Sequence, residues 1–232
     1  MTNYKENFNS WLESPLVDNE TKDELKSLIG NEKEIEERFY RDLEFGTAGM
    51  RGTLGAGTNK MNIYMVRKAS QGVATHINSL GEDAAKKGVL IGYDTRNFSR
   101  EFAEETAKVL VANGIKAYLF DSVHSVPEVS FAIRTLGTSA GVMITASHNP
   151  KEYNGYKVYG ADGGQLPPDA AAVVTNAINS FDIFNDIKIC SLEDATESGL
   201  LEIVGKDLDE KFLETIEKLQ INPDAVSKVK DS

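Results

Sequence analysis

The sequence predicts an α/β fold: a three-layer α/β/α domain with a mixed sheet of about four strands, preceded by N-terminal helices. Three observations carry this reading. Short apolar runs with β-branched members, such as Gly88-Val-Leu-Ile-Gly-Tyr-Asp94 and Gly141-Val-Met-Ile-Thr145, have the length and composition of buried strands. Longer stretches with apolar residues at helical spacing lie between them. Strands that alternate with helices in this way put helices on both faces of one sheet.

Each element has its own signal. Residues 1–40 set Phe8, Trp11 and Leu12, then Leu25, Leu28 and Ile29, then Ile35 and Phe39 at helical spacing among charged positions, which predicts surface helices packed on a larger body. Residues 45–61 contain five glycines, so the backbone there turns sharply or approaches a ligand closely, and the embedded Arg51 favours a working loop. Residues 62–80 predict a helix ending at Gly81, and residues 88–94 a buried strand. Ser99 is placed to cap a helix running to Asn113-Gly114, with Glu101, Glu104 and Glu105 near its positive end. Residues 116–120 predict a strand, 127–136 a helix and 138–145 the next strand. Residues 155–159 alternate as a further strand, 160–164 form a turn, and Pro167-Pro168-Asp169 opens a helix towards Phe181. Only about ten residues separate the last two strands, too few for a parallel crossover, so the sheet is mixed. Residues 206–220 place Leu208, Phe212, Leu213, Ile216 and Leu219 on one helical stripe that needs a partner surface. The expected division is therefore residues 1–190 as one domain with a helical extension, and residues 191–232 as a linker and the first helix of a second domain.

Composition narrows the partners. A chain of 232 residues with 41% hydrophobic and 26% charged residues is an ordinary globular protein with a sizeable core. Its net charge of −11 argues against nucleic acid or an anionic membrane as a partner, because the long-range field repels both. An anionic small substrate would need a local cluster of positive groups against that field. The single Cys190 excludes an internal disulfide and fits a reducing compartment. No opening segment resembles a signal peptide and no run is long enough to span a bilayer, so the cytoplasm is expected.

The chemistry concentrates in Thr145-Ala-Ser-His-Asn-Pro150, directly after an apolar strand. Crevices beyond the carboxyl ends of strands are where open α/β sheets bind ligands, and Ser147 sits on such a rim. Asn149-Pro150 stiffens the loop, since Pro fixes its own φ and restrains its neighbour. By residue type alone Ser147 is either a turn residue or a nucleophile, and a nucleophile needs a base, a positive environment or a metal. Thr145 and Asn149 occupy the positions that glycines hold in a hydrolase elbow, which counts against acyl transfer. Lys157 is either an edge-strand lysine or a site residue, and His148 either ties down the loop or acts directly. Arg51 offers a bidentate anion clamp. Asp94 and Arg96, at a strand end that borders the same crevice, read as a pair that staples a loop, and His76 and His124 as ordinary residues.

Together, Phe45-Gly-Thr-Ala-Gly-Met-Arg-Gly52, Thr145-Ala-Ser-His-Asn-Pro150 and Tyr153-Asn-Gly-Tyr-Lys157 resemble the phosphoglucomutase/phosphomannomutase (α-D-phosphohexomutase) family. The helical extension and the run Arg51-Gly-Thr-Leu-Gly-Ala-Gly-Thr-Asn-Lys-Met61 look most like its bacterial α-phosphoglucomutase and phosphopentomutase-like branch. The resemblance covers nearly all of residues 5–220 and implies a phosphosugar mutase that interconverts hexose 1-phosphate and 6-phosphate, or a pentose 5-phosphate, through a phosphoserine and a bisphosphorylated sugar. The phosphoserine falls on Ser147, whose phosphate is also a ligand of the family's Mg2+. Arg51 is implied to hold the transferring phosphate, with Thr47 beside it as a substrate contact. Lys157 is implied as proton shuttle or phosphate contact, and His148 as a residue shaping the catalytic site. A glucose 1,6-bisphosphate-type activator is implied as well. The family's Asp-Gly-Asp-x-Asp-Arg metal loop, its Gly-Glu-x-Ser-Gly-His sugar loop and its C-terminal phosphate-binding domain do not occur in these residues. The resemblance therefore implies a domain that works with the remaining domains of a full-length protein and folds without turning over alone. The alternative is a stand-alone phosphosugar-binding or regulatory module. A serine hydrolase, which an acyl or phosphonate probe would label at Ser147, is the other rival.

Overall fold

The computed structural model describes residues 3–47, 49–223 and 225. Three short helices come first: α1 (Tyr4–Glu13), α2 (Asn19–Ser27) and α3 (Glu32–Phe39). Asn3, Asp18 and Asn31 cap them by accepting from backbone N–H groups of their first turns. Their apolar faces bury Phe8, Trp11, Leu25, Ile35 and Phe39 in a cluster of their own. Trp11 is its hub, with edge-to-face contacts to Phe39 at 5.7 Å, Tyr64 at 5.1 Å and Phe184 at 5.5 Å. Tyr64 also donates to Asp18 at 2.6 Å, and burial together with that carboxylate pushes its hydroxyl up to about 12.

The main body is the predicted α/β/α domain with a mixed sheet, but among the described residues the sheet has seven strands rather than four. In chain order these are β1 (Phe45–Gly46), β2 (Gly49–Thr53), β3 (Val89–Tyr93), β4 (Ala117–Phe120), β5 (Ala140–Ile144), β6 (Tyr153–Gly160) and β7 (Leu201–Val204). They lie in the order β1-β2-β6-β5-β3-β4-β7. β5, β3, β4 and β7 are mutually parallel, while β6, β2 and β1 add antiparallel pairs. The glycine-rich segment read as a loop thus contains a hairpin. Its strand Gly49–Thr53 carries one large apolar residue, Met50, and so gives no hydrophobic run to detect. Leu201–Val204, expected within a linker, is instead the parallel neighbour of β4, preceded by the short helix α9 (Leu192–Glu197).

Helices α4 (Ile63–Ser79), α6 (Ser99–Ala112) and α8 (Pro168–Ser180) cover one face of the sheet, and α7 (Val126–Leu136) and α10 (Lys206–Lys218) the other; α5 (Glu82–Lys87) is a short connector. Strand alternation assigns the residues. Val89, Ile91, Val142 and Ile144 join the first face with Val73, Leu110 and Val174, while Leu90 and Met143 join the second with Val129, Ile133 and Leu208. Ser99 does not cap α6: the position before the helix is Phe98, in the left-handed region at φ 63°, and the Ser99 hydroxyl turns inward to donate to Asp94 at 2.8 Å. On α10 two of the five residues of the predicted stripe are used. Leu208 is buried and Phe212 meets Phe131 edge-to-face at 5.4 Å, whereas Leu213, Ile216 and Leu219 are exposed.

The N-terminal cluster depends on one large side chain with three aromatic neighbours. Trp11→Ala is expected to lower the stability of the chain by about 3–5 kcal/mol, the usual cost of truncating a buried Trp, and a urea unfolding midpoint measures it. A midpoint equal to that of the unmodified protein would show that these helices do not contribute to the cooperative unit.

Candidate active site

β5 is buried along its whole length, between β3 on one side and β6 on the other. From β3 the chain runs through α6 to β4, moving one way across the sheet, and returns through α7 over the opposite face to β5. The carboxyl ends of the adjacent parallel strands β3 and β5 are therefore a topological switch point, where connections diverge and leave a crevice. Asp94, which follows β3, donates its N–H to Ile144 at 3.2 Å, so the two strand ends stay in register up to the rim. Asp94, Arg96, Asn97, Ser147, Asn149 and Lys151 line a crevice of about 400 Å³ there.

Ser147 is exposed at this rim, after the buried pair Thr145 and Ala146. Its backbone lies in the left-handed region at φ 56°, a conformation that costs a non-glycine residue roughly 1–2 kcal/mol. Local bonds hold it: the Ser147 N–H donates to Thr145 Oγ1 at 3.0 Å, and Asn149 N–H to Ala146 O at 3.1 Å. The Arg96 guanidinium donates to Ser147 O at 2.8 Å, Asn149 O at 2.6 Å, Pro150 O at 2.8 Å and Tyr153 O at 3.1 Å. Hydrogen bonds to a charged group contribute about 1.5–3 kcal/mol each, so this set outweighs the backbone strain. The pairing of Asp94 with Arg96 that the sequence suggests is present, with Nε 3.5 Å from Oδ2.

Arg51 is exposed on β2 and donates to Asn149 Oδ1 at 2.7 Å, which brings a residue 98 positions away onto the serine loop. It stands opposite Gly155 of β6. A Cβ on Gly155 would lie 2.6 Å from Thr145 O and 3.0 Å from Met50 O, so only glycine lets β2, β6 and the serine loop close up here. Lys157 is two residues further along β6, on the same face as position 155, and is half-buried. Burial pushes its amine below the ordinary lysine range, the Arg51 charge adds to that, and Asp94 opposes it. Arg51, Lys157 and Asp94 thus share one electrostatic neighbourhood. His148 is exposed beside Ser147, and Thr47 is exposed in the β1–β2 turn.

Two residues that sequence reasoning did not single out complete the support. Asn149 receives Arg51, and Asn154, fully buried, donates to Asn97 O at 2.9 Å and Ser99 Oγ at 3.0 Å. A buried Asn in a strand is the signal that could have found Asn154, because an amide taken from water must be hydrogen-bonded.

Residues 42–182 match the family model described as phosphoglucomutase/phosphomannomutase, alpha/beta/alpha domain I. The chain belongs to this family. A phosphoglucomutase from Staphylococcus saprophyticus is 40% identical over 194 residues, covering 84% of this chain and 35% of that protein. One from Staphylococcus haemolyticus is 46% identical over 145 residues, covering 62% and 26%. A solved structure assigned as a phosphomannomutase from Thermus thermophilus superposes with a TM-score of 0.62 at 25% identity, over 77% of this chain and 36% of its own. The chain thus spans about a third of the length of the relatives it matches most extensively. Within the phosphohexomutase family the hairpin with Arg51, the Ser147 loop and the strand with Lys157 all fall inside the matched region.

The shared field makes a titration test. In Arg51→Ala the Lys157 amine is expected to titrate at higher pH than in the unmodified chain, since a repelling charge is gone. Asp94→Asn should move it lower, since an attracting charge is gone. Nitrogen-detected NMR of Lys157 Nζ reads both, and an unmoved amine in Arg51→Ala would separate the two groups.

Proposed function

We propose that Ser147 carries a phosphoryl group and lends it to a sugar phosphate, in a full-length protein that interconverts hexose 1-phosphate and 6-phosphate. The observation that carries the reading is the exposed Ser147 on a strained, clamped loop at the switch point, with Arg51 bonded to that loop through Asn149 and Lys157 in the field of Arg51. Phosphoryl transfer asks for this kind of arrangement, because its catalysis is positioning and charge neutralisation. Arg51, Lys157, Lys151 and Arg96 also supply the positive cluster that an anionic substrate needs in a chain of net charge −11.

In the forward half-reaction a sugar hydroxyl oxygen attacks phosphorus, the bond to Ser147 Oγ breaks, and the proton lost by the sugar ends on Oγ. The bisphosphorylated sugar then reorients, and the reverse step returns its other phosphate to Ser147. Lys157, with its lowered proton affinity, is suited to relay that proton or to contact the phosphate, and Arg51 to hold the transferring group, with Thr47 next to it. His148 shapes the rim. A glucose 1,6-bisphosphate-type activator would load Ser147. Mg2+ would balance the charge of the phosphoserine, with the phosphate on Ser147 as a ligand; among the described residues no group of three or more His, Cys, Asp or Glu side chains is arranged to hold a metal. We place the protein in the cytoplasm, with sugar phosphates and its own remaining domains as partners, and infer that these residues alone do not turn over.

Ser147→Ala in the full-length protein is expected to abolish mutase turnover, and intact-mass analysis of the unmodified protein to find one added phosphoryl group located at Ser147. Turnover by Ser147→Ala refutes the reading; sugar-phosphate binding with no turnover by the unmodified full-length protein identifies a binding module instead. Arg51→Ala should lower kcat by about 10²-fold or more, as for loss of one donor to transition-state charge. A wild-type kcat would reduce Arg51 to a tie for Asn149.

A further inference from the structure

We propose that Arg96 is the positioning residue of the phosphoryl-carrying loop: it fixes the left-handed backbone at Ser147, and so the direction of Oγ, without touching the phosphate. This rests on Ser147 being the phosphoryl carrier.

The donor count of Arg96 is the first ground. A guanidinium has five N–H groups in a rigid fork. Nη1 gives its two to Pro150 O and Tyr153 O, and Nη2 gives its two to Ser147 O and Asn149 O. Nε faces Asp94 Oδ2 at 3.5 Å. All four Nη donors are committed to backbone carbonyls, Nε lies against a carboxylate, and the side chain is only 13% exposed. Arg51 is the opposite case: it is exposed and, among the described residues, makes one side-chain hydrogen bond, to Asn149, which leaves donors for a phosphate. Two arginines meet at one loop, and their hydrogen bonding divides the work between them.

The second ground is what holds Arg96. Asp94 Oδ1 accepts from the Arg96 backbone N–H at 3.0 Å and from Ser99 Oγ at 2.8 Å. Ser99 Oγ accepts in turn from the buried Asn154, whose own Oδ1 accepts from Gly155 N–H at 2.7 Å. The lattice runs from the end of β3, through the first turn of α6, to the start of the strand that carries Lys157. The guanidinium therefore transmits the position of the rigid sheet to the loop. The bond from Nη2 to Ser147 O selects the left-handed conformation, because rotating Ser147 into an ordinary region swings that carbonyl away. A displaced Oγ loses in-line geometry with the sugar hydroxyl, and a shift of about 1 Å can cost 10²-fold in rate.

Lysine is the discriminating replacement, since it keeps the charge but offers three donors from one point and cannot span four carbonyls. In the full-length protein, Arg96→Lys is expected to lower kcat by about 10²-fold with KM for hexose 1-phosphate little changed. Single-turnover transfer from glucose 1,6-bisphosphate to Ser147, followed by intact mass, should slow in parallel. Asp94→Asn, which keeps an oxygen for Ser99 and the Arg96 N–H but removes the charge facing Nε, should show a smaller fall of the same kind. A wild-type kcat per folded molecule in Arg96→Lys, with only the thermal midpoint lowered, overturns the proposal, as does a raised KM at unchanged kcat, which would make Arg96 a substrate contact. Should Arg96→Lys not fold, Asp94→Asn decides, and an unchanged kcat there overturns it. Ser147→Ala runs alongside: if it turns over, the carrier reading fails whatever Arg96 does.

Discussion

The structure depends on burying β5 on both faces between a parallel and an antiparallel neighbour. Five buried residues, Ala140–Ile144, leave the strand no freedom to slide, because a one-residue slip would exchange the side chains that fill the two cores. Its carboxyl end is therefore a fixed point. On one side it stays in step with the end of β3, and on the other the 145–152 loop turns straight back into β6. The crevice, the serine loop and the lysine strand all inherit their positions from that strand.

Electrostatics works against the molecule's own sign at this point. The chain carries a net charge of −11, yet Arg96 and Lys151 line the crevice with Ser147, Arg51 donates to Asn149 on the same loop, and Lys157 lies in the field of Arg51. Burial, and after it the charge of Arg51, holds the Lys157 amine below its usual range. Much of the acidic charge sits elsewhere, on the N-terminal helices and the segment beyond Cys190.

Outside the site, the fold attaches its additions by different means. The N-terminal helices are held by an aromatic cluster around Trp11 that also takes Phe184 from the segment after α8. Helix α10 is held by Leu208, by Phe212 on Phe131, and by a bond of 2.8 Å between His124 Nε2 and Asp209 Oδ1. The first attachment is a sealed core, whereas the second covers only the beginning of α10 and leaves Leu213, Ile216 and Leu219 exposed.

How much could be read in advance follows from how local each signal is. The α/β class, the longer helices after residue 62, the strands around Ile91, Leu119 and Val142, and the mixed character of the sheet were legible, whereas the short helices Glu82–Lys87 and Leu192–Glu197 were not, because apolar period needs several turns to show. The hairpin of Gly49–Thr53 and the strand Leu201–Val204 were not, since each is defined by the strand it pairs with more than by its own residues. Ser147, Arg51, Lys157 and His148 stood out through motif and residue type. Asn149, Asn154 and the full reach of Arg96 did not. By itself the sequence determined the fold class and the family and marked Ser147 as the candidate carrier, because these depend on residue identity and short-range pattern. Only the tertiary structure decided that β3 and β5 meet at a switch point, that Ser147 is held left-handed, and that one arginine is spent on carbonyls while the other stays open; hydrogen bonds between residues fifty to a hundred positions apart leave no local pattern to read.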